Sequence, residues 1–248
     1  MPILRNIAYL ATCRDEGTQG DLHSIRDAAL LWDDAQFSWV GREADLPSGY
    51  TGINELDAGG CLVIPGLIDC HTHLAFAGWR EQEFVQRALG KTYLEIAESG
   101  GGIMRTVRLT READPQTLHE HCREILDQMT ELGVTAVECK SGYALDLETE
   151  LKIHSTYREL DGIHSARIVS TYLGAHVVPT EFEARRADYL DLVCREVIPA
   201  VASRKLASFC DVFVENAAFS LDEARQVLRA GSDHGLRPKV HADQLSNG

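Results

Sequence analysis

The sequence predicts an α/β fold in which a small β domain precedes an incomplete parallel barrel. Three observations predict it. Residues 1–60 contain short alternating segments between polar turns, residues 61–248 repeat a strand, loop and helix rhythm, and polar side chains follow the strands of that second part. Strands that alternate with helices pair in parallel, because each helix returns the chain to the start of the next strand.

The first 60 residues have the pattern of a small antiparallel sheet. Apolar residues alternate with polar ones at 6–12, 29–32 and 37–40, and turns such as Asp15-Glu-Gly17 separate these segments. We therefore expect residues 1–60 to form a partial, β-sandwich-like domain.

Residues 61–248 are expected to form the barrel. We predict strands at residues 62–69, 134–140, 167–173, 211–214 and 238–241. We predict helices at residues 92–97, 115–131, 147–160, 181–201 and 221–230. Asp114 and Pro115 are a typical N-cap and first helical residue, Gly133 is typical of the position after a helix, and Ser220 with Glu223 matches a capping box.

Five strands do not close a barrel of this type, which has eight. We therefore expect the chain to be a barrel truncated after its fifth strand and part of a longer protein. The strand pattern alone leaves an open parallel sheet as the alternative.

The composition limits the classes of partner. The net charge is −14, which argues against nucleic acids and anionic membranes because both bind clustered Lys and Arg. No apolar run is long enough to span a bilayer. The seven cysteines form no CxxC pair and no signal-peptide pattern precedes them, so we expect a reduced, cytoplasmic protein. A small-molecule anion remains compatible with this charge, and so does a homodimer.

His71 and His73 are the strongest functional signal. They follow a run of aliphatic residues that predicts a buried strand, and residues i and i+2 of a strand point to the same side. Two imidazoles on one side supply half of a metal site. His119 and His121 have the same spacing on a predicted polar helix, where such residues diverge, so we expect them to lie on a solvated face.

A catalytic metal needs about three protein ligands and an open position for water. His241, at the tip of the fifth predicted strand, is the natural third ligand beside His71 and His73. Its alternative role is that of a packed histidine bound to the backbone. Histidine ligands suit zinc, iron or nickel, so the residues alone leave the metal open. Lys140, Tyr143, His176, Glu215 and Gln244 also follow strands, where a parallel barrel carries its active site.

The residues around this centre are weaker signals by themselves. Arg80 lies in the first loop after the histidine pair, where its guanidinium group could bind a carboxylate, although from the residues alone a surface arginine is the better explanation. Tyr143 follows Lys140-Ser-Gly, and His176 follows Leu173-Gly-Ala. Both turns would direct the side chains back over the strand ends.

The segment VIPGLIDCHTH at residues 63–73 resembles the opening signature of the amidohydrolase superfamily. Further motifs resemble the branch of that superfamily that opens the ring amide of 4-imidazolone-5-propanoate in histidine degradation. They lie at residues 71–81, 93–96, 100–103, 138–143, 174–176 and 239–244. The resemblance begins at about residue 55 and implies a distorted (β/α)8 TIM barrel beside a small β domain.

The resemblance also implies roles for individual residues. His71, His73 and His241 would bind one zinc or iron ion per chain. The substrate would be surrounded by Arg80, Tyr93, Tyr143, His176 and Gln244. His176 and Gln244 would take part in catalysis, His176 by stabilising the oxyanion or delivering a proton to the leaving nitrogen. The product would be N-formimidoyl-L-glutamate.

Two departures from the pattern qualify this expectation. Some members carry Glu where this chain has Gln244, and an amide cannot act as a general base. The pattern's last metal ligand, an Asp on the eighth strand, and a His on the sixth have no counterpart in residues 1–248. We therefore expect the 248-residue chain to be inactive alone.

Other functions fit part of the pattern. A cyclic amidase with two metals needs a carboxylated lysine from the fourth strand, whereas Lys140 follows the second. A deaminase usually has Glu where this chain has Gln244. A module that binds a small carboxylate without catalysis is the alternative of another class, and it would contain no stoichiometric metal.

Overall fold

The computed structural model describes residues 1–34, 36–50, 54–92, 95–96, 99–216 and 218–244. The chain divides into two compact units, Met1–Gly66 and Leu67–Gly248. Across the described residues, no helix combines the length and apolar character needed to cross a membrane.

The first unit is built on a five-stranded sheet within its described residues. Its strands are β1 (Pro2–Ala11), β2 (Ser24–Trp32), β3 (Phe37–Arg42), β4 (Asn54–Asp57) and β5 (Leu62–Val63). β1 to β3 pair antiparallel, but β4 and β5 both run parallel to β1. The expectation of a purely antiparallel sheet is therefore wrong, because β1 is long enough to pair with β4 at its start and with β5 near its end.

The second unit contains a five-stranded sheet in the order β10, β9, β8, β7, β6 among its described residues. The strands are β6 (Leu67–Thr72), β7 (Val134–Lys140), β8 (Arg167–Ala175), β9 (Phe209–Val212) and β10 (Arg237–Pro238). All neighbours pair in parallel, and their spatial order follows the chain. This is the wall of an incomplete barrel, and it brings the C-terminal ends of the strands to one edge.

The predicted strand at 62–69 is wrong as a single element. It separates into β5 and β6, because Pro65 has no N–H to donate to a neighbouring strand. The expectation that it is buried also fails for β6. This strand pairs only with β7 in the described sheet, and Ile68 is 71% exposed.

The two last strands also differ from their prediction. β9 begins two residues before the predicted 211–214, and β10 is confined to Arg237–Pro238. His241 nevertheless continues the parallel pairing through an isolated bridge to Phe213. Its main-chain N–H donates to the carbonyl of Val212, and its carbonyl accepts from Val214. His241 is therefore held at the sheet edge although it lies outside the regular strand.

The second unit also contains helices, several of which pack against this sheet. They are α1 (Glu81–Ala88), α2 (Gly102–Glu112), α3 (Pro115–Glu131), α4 (Leu147–Asp161), α5 (Arg186–Leu192), α6 (Ile198–Ser203) and α7 (Leu221–Asp233). α3 matches its prediction, since the Asp114 side chain accepts from the Thr117 N–H and Pro115 begins the helix. The predicted capping box of Ser220 and Glu223 begins α7. Half of the helix predicted at 92–97 lies outside the described residues, namely 93, 94 and 97.

The helix predicted at 181–201 is interrupted. A 3-10 helix (Thr180–Arg185) precedes α5, and a π-helical turn (Val193–Val197) separates α5 from α6. Pro199 provides the physical reason for that turn, because proline cannot donate the N–H that an α-helix would pair with the carbonyl of Arg195. The core of the unit lies between this helical layer and the sheet, where Tyr157, Tyr172 and Phe219 are fully buried.

Candidate metal centre

Four histidines gather at the C-terminal edge of the parallel sheet. The ring centroids of His71 and His73 lie 5.8 Å apart, and those of His71 and His241 lie 4.8 Å apart. His176, after β8, stacks on His73 at 5.0 Å. The three predicted metal ligands are therefore neighbours, and His176 joins them.

Phe213 is an aromatic member of this group that the sequence analysis did not identify. Its ring contacts His241 at a centroid distance of 4.8 Å and His176 at 5.9 Å. It follows β9 and so lies between the loops that carry the two histidines. Its apolar ring limits the directions in which either imidazole can turn.

Backbone carbonyls orient two of the histidines. Nδ1 of His73 lies 3.2 Å from the carbonyl oxygen of Ser141, and Nδ1 of His176 lies 2.8 Å from that of Gly142. A carbonyl oxygen can only accept, so each Nδ1 carries the hydrogen and each Nε2 carries the lone pair. Metal-binding histidines commonly have such a partner on their second nitrogen.

His241 is held differently. Its Nε2 lies 2.6 Å from Oε1 of Gln244, so this nitrogen donates the hydrogen in the described arrangement. Its Nδ1 is buried and has no hydrogen-bond partner among the described residues. Glu215 Oε1 in turn accepts from the main-chain N–H of Gln244 at 2.8 Å, which fixes the backbone at this position.

Burial favours the neutral imidazole in His71, His73 and His176. It lowers the pKa of His73 to about 3, with the neighbouring His176 adding to the effect. Burial is also the main cause that lowers the pKa of His71, and the positive charge of Lys140 contributes. Burial lowers the pKa of His176 against the opposing effect of its bond to Gly142. Metal ions bind the neutral form of imidazole, so these histidines need not lose a proton first.

The donor set suits zinc or iron, although the ligand atoms do not yet converge. Two imidazoles on one tetrahedral ion have ring centroids about 5 Å apart, given metal–nitrogen bonds of about 2.1 Å. The 4.8 and 5.8 Å separations are of this size, and the buried Nδ1 of His241 lacks a partner. In the described part of the chain, however, no three His, Cys, Asp or Glu side chains are already arranged to hold a metal ion.

A buried ionic network lies next to the histidines. Nζ of Lys140 donates to Glu138 and to Asp211, both at 2.7 Å, and Thr171 donates to Glu138. Lys140 is 3% exposed and Asp211 is 1% exposed. Burial alone would raise the pKa of Glu138, but hydrogen bonds from Lys140, Lys239 and Thr171 outweigh it and hold that pKa below its usual value.

This network gives Lys140 a structural position, since its ammonium group is paired with two buried carboxylates. Glu138 and Asp211 were not among the residues predicted to have a role. Two signals were present: residues 138 and 140 share one face of β7, and Asp211 is an acidic residue in an apolar strand. Their charges also act on His71, where both raise the pKa slightly against the effects of burial and Lys140.

The predicted substrate residues lie partly around one cavity. This cavity has a volume of about 330 Å³ and its lining includes His73, Arg80 and Tyr143 together with Phe76 and Trp79. The Tyr143 ring lies 5.0 Å from His73 and 5.7 Å from His176. Burial raises the pKa of Tyr143, and the nearby Arg80 opposes that shift. Tyr93 lies outside the described residues.

Arg80 has one charged neighbour on its own helix. Its Nη1 lies 3.7 Å from Oε2 of Glu83, and about a third of the Arg80 side chain is exposed. A contact of this length is weak, so the guanidinium retains the capacity to bind an anion in the cavity.

The prediction that His121 lies on a solvated face is wrong. Its ring contacts Phe76 at 4.7 Å and Trp79 at 5.3 Å, and its Nε2 is buried without a hydrogen-bond partner in the described structure. Burial lowers its pKa. The i, i+3, i+4 spacing of residues 118, 121 and 122 could have indicated this, because Leu118 and Cys122 are fully buried on the same helix face.

Comparison with curated proteins gives a consistent set of relatives. The chain is 45% identical over 224 residues to imidazolonepropionase of Cupriavidus pinatubonensis, which is 90% of this chain and 53% of that protein. It is 48% identical over 225 residues to imidazolonepropionase of Shewanella halifaxensis, covering 90% of this chain and 55% of that protein. The chain is homologous to the N-terminal portion of imidazolonepropionase. It spans about half the length of the imidazolonepropionases it matches. No protein-family model matches the chain.

Solved structures support the fold. The chain aligns over 98% of its length with a triazine hydrolase from Arthrobacter aurescens, with a TM-score of 0.63 and 16% identity. It aligns over 99% of its length with 5-methylcytosine deaminase from Klebsiella pneumoniae, with a TM-score of 0.63 and 15% identity. It covers 53% and 52% of those chains. Together with the parallel sheet of the second unit, these alignments support the fold of an incomplete amidohydrolase-type barrel for this chain.

Proposed function

We propose that the chain carries the metal-binding and part of the substrate-binding apparatus of an imidazolonepropionase. The reaction is hydrolysis of the ring amide of 4-imidazolone-5-propanoate to N-formimidoyl-L-glutamate. One observation carries this proposal most strongly: the four histidines meet at the strand ends beside a cavity that also contains Arg80 and Tyr143. The free state of the seven cysteines suits the reducing cytoplasm, which we propose as the compartment.

The metal in this proposal is one zinc or iron ion held by His71, His73 and His241. When bound, such an ion acidifies a water molecule and polarises the substrate carbonyl. His71 and His73 contribute neutral imidazoles at no cost in deprotonation near pH 7. His241 would bind the metal through Nε2 once its hydrogen bond to Gln244 is broken, or through the buried Nδ1.

The remaining residues bind and orient the substrate. Arg80 pairs with the propanoate carboxylate, for which the planar guanidinium is suited. Tyr143 packs against the imidazolone ring with its partly buried side chain and offers its hydroxyl as a hydrogen-bond donor. His176 has the lone pair on Nε2, so it accepts the proton that the attacking water loses and then delivers that proton to the leaving ring nitrogen. Gln244 orients water or substrate through its amide.

Activity is best tested in a chimera, because the chain spans about half of its relatives. We would join this chain to the remaining C-terminal part of the Cupriavidus pinatubonensis enzyme. Metal content would be measured by elemental analysis and turnover by the loss of imidazolonepropionate absorbance. We expect about one metal ion per chain and turnover that His71→Ala abolishes together with the bound metal.

A chimera that folds and binds metal but does not consume the substrate would overturn the proposal. Circular dichroism would establish folding, and His234→Ala, on the exposed end of α7, serves as the matched histidine control. Light scattering on the same sample would test the homodimer that we propose as the oligomeric state.

A further inference from the structure

We propose that the turn at Ser141 and Gly142 fixes the tautomers of His73 and His176 together, with Tyr157 holding that turn in place. In this arrangement both histidines carry their hydrogen on Nδ1 and present the lone pair of Nε2. Ser141, Gly142 and Tyr157 are thus positioning residues. The tautomers themselves do not depend on the proposed reaction, and only their use in catalysis rests on it.

The two histidine contacts come from consecutive carbonyls. Ser141 O accepts from His73 at 3.2 Å and Gly142 O accepts from His176 at 2.8 Å. The two rings are stacked at 5.0 Å with an interplanar angle of 20°. One short segment therefore controls two rings that come from loops about a hundred residues apart, and neither ring can turn over without losing its acceptor.

The turn is fixed to β8 on one side. The Ser141 N–H donates to the carbonyl of Thr171 at 3.1 Å, and the Ser141 hydroxyl accepts from the Leu173 N–H at 2.9 Å. Ser141 is fully buried. The Ser141 side chain thus continues the hydrogen bonding between β7 and β8 beyond the end of β7. These two bonds to β8 fix the direction of the Ser141 and Gly142 carbonyls.

Glycine is required at position 142 for two independent reasons. Its φ of +75° is in the left-handed region, which side-chain-bearing residues rarely adopt. A Cβ atom there would also stand 2.8 Å from Nδ1 of His73 and 2.9 Å from Nδ1 of His176. Both clashes fall on the nitrogens that the turn orients, so any side chain at this position would displace the rings.

Tyr157 connects the turn to the segment that follows His73. Its hydroxyl accepts from the Ala75 N–H at 2.9 Å and donates to the carbonyl of Lys140 at 3.1 Å. The side chain is fully buried on α4. A single hydroxyl therefore sets the spacing between the loop that carries His73 and the residue that precedes Ser141.

The arrangement has a consequence for the role of His176. With hydrogen on Nδ1, neutral His176 can only accept at Nε2, and it cannot donate to a developing oxyanion until it has gained a proton. The geometry therefore favours proton transfer over direct oxyanion stabilisation for this residue. For His73 it identifies Nε2 as the atom that binds metal.

The tautomers can be observed directly in the metal-free chain. Selective ¹⁵N labelling of histidine and long-range ¹H–¹⁵N correlation at pH 8 distinguish Nδ1–H from Nε2–H rings, and His73→Gln and His176→Gln assign the signals. We expect both rings to be in the Nδ1–H form. In Tyr157→Phe we expect a mixture of tautomers for His73 and zinc binding that is about 3- to 10-fold weaker.

Tyr172→Phe is the matched control. Tyr172 is equally buried on β8, but its hydroxyl has no hydrogen-bond partner in the described structure. We expect this variant to keep the tautomers and the zinc affinity of the original chain. Ser141→Ala is a second test, for use if Tyr157→Phe folds poorly. It leaves the Ser141 carbonyl in place but removes the hydrogen bond from the Leu173 N–H, and we expect the same mixture of tautomers and the same weaker zinc binding.

Nε2–H or mixed tautomers for His73 and His176 in the unmodified chain would overturn the inference. An equal loss of zinc affinity in Tyr157→Phe and Tyr172→Phe would do so too, because it would indicate a general effect of core packing. Neither measurement uses the substrate, so a failure here is distinguishable from a failure of the proposed hydrolase function.

Discussion

Gln244 occupies one ring nitrogen of His241 with a hydrogen bond. Oε1 of Gln244 lies 2.6 Å from Nε2 of His241, whereas the buried Nδ1 of the same ring has no partner among the described residues. Binding of a metal at Nε2 has to break this hydrogen bond, which contributes about 0.5–1.5 kcal/mol. If His241 binds the metal through Nε2, as we propose, Gln244 should therefore lower the apparent metal affinity.

We predict that Gln244→Ala binds zinc about 2- to 10-fold more tightly than the unmodified chain, because the competing hydrogen bond is lost. The measurement is a competition titration against a chromogenic chelator. Gln128→Ala, on the exposed face of α3, is the control and should leave the affinity unchanged. Weaker zinc binding by Gln244→Ala would instead mean that the amide supports the metal-bound geometry of His241.

The stability of the metal-free chain should fall on acidification because of His73. Burial holds its folded-state pKa at about 3, against about 6.5 in an unfolded chain. Above pH 6.5 the imidazole is neutral in both states and costs no stability. Between pH 6.5 and 3 only the unfolded state takes up the proton, so the free energy of unfolding falls as the pH is lowered. The slope from one such group is about 1.4 kcal/mol per pH unit.

We predict that His73→Asn takes up about one proton fewer on unfolding between pH 6 and 4, so that its free energy of unfolding falls less steeply with decreasing pH. Urea unfolding in the presence of a chelator measures it, and the two stability curves should run in parallel above pH 7.5. Curves that stay parallel down to pH 4 would show that His73 is accessible to protons in the folded chain.

The charged network below the histidines should be sensitive to loss of its cation. Lys140→Met would leave Glu138 and Asp211 buried beside each other with one cationic partner fewer. We predict a loss of about 3–5 kcal/mol in the free energy of unfolding, which is typical when one partner of a buried ion pair is removed. Urea denaturation measures it. The exposed Lys91→Met is the control, and a loss in Lys140→Met as small as in that variant would refute the prediction.

Arg80 should act on substrate binding. In the active chimera we predict that Arg80→Ala raises KM about 10- to 100-fold with a smaller change in kcat, because a charge-assisted contact to the substrate carboxylate is lost in the bound ground state as well as in the transition state. Steady-state kinetics measures both constants. Arg87→Ala, exposed on α1, is the control. A fall in kcat at unchanged KM would assign Arg80 another role.

The contrast between His121 and His73 illustrates what the sequence could and could not predict. Both belong to a pair with the same spacing, and secondary structure distinguishes them: His71 and His73 lie at the end of β6 with ring centroids 5.8 Å apart, whereas His121 lies on α3. Burial was not predictable in the same way. His121 lies against Phe76 and Trp79, which come from a loop about forty residues earlier, and β6 is exposed although its composition is that of a buried strand.

The sequence by itself determined the local features of this protein: the start of α3 at Asp114 and Pro115, the capping box of α7, the alternation that puts His71 beside His73, and the motifs shared with imidazolonepropionases. These depend on residues a few positions apart, whose contacts follow from backbone geometry. The tertiary structure decided which distant groups meet. The approach of His176 and His241 to the first pair, the partners of Lys140 and the carbonyls that orient His73 depend on parallel pairing of strands that are distant in the chain. Local preferences do not specify that register, because it is set by the packing of the whole sheet against its helices.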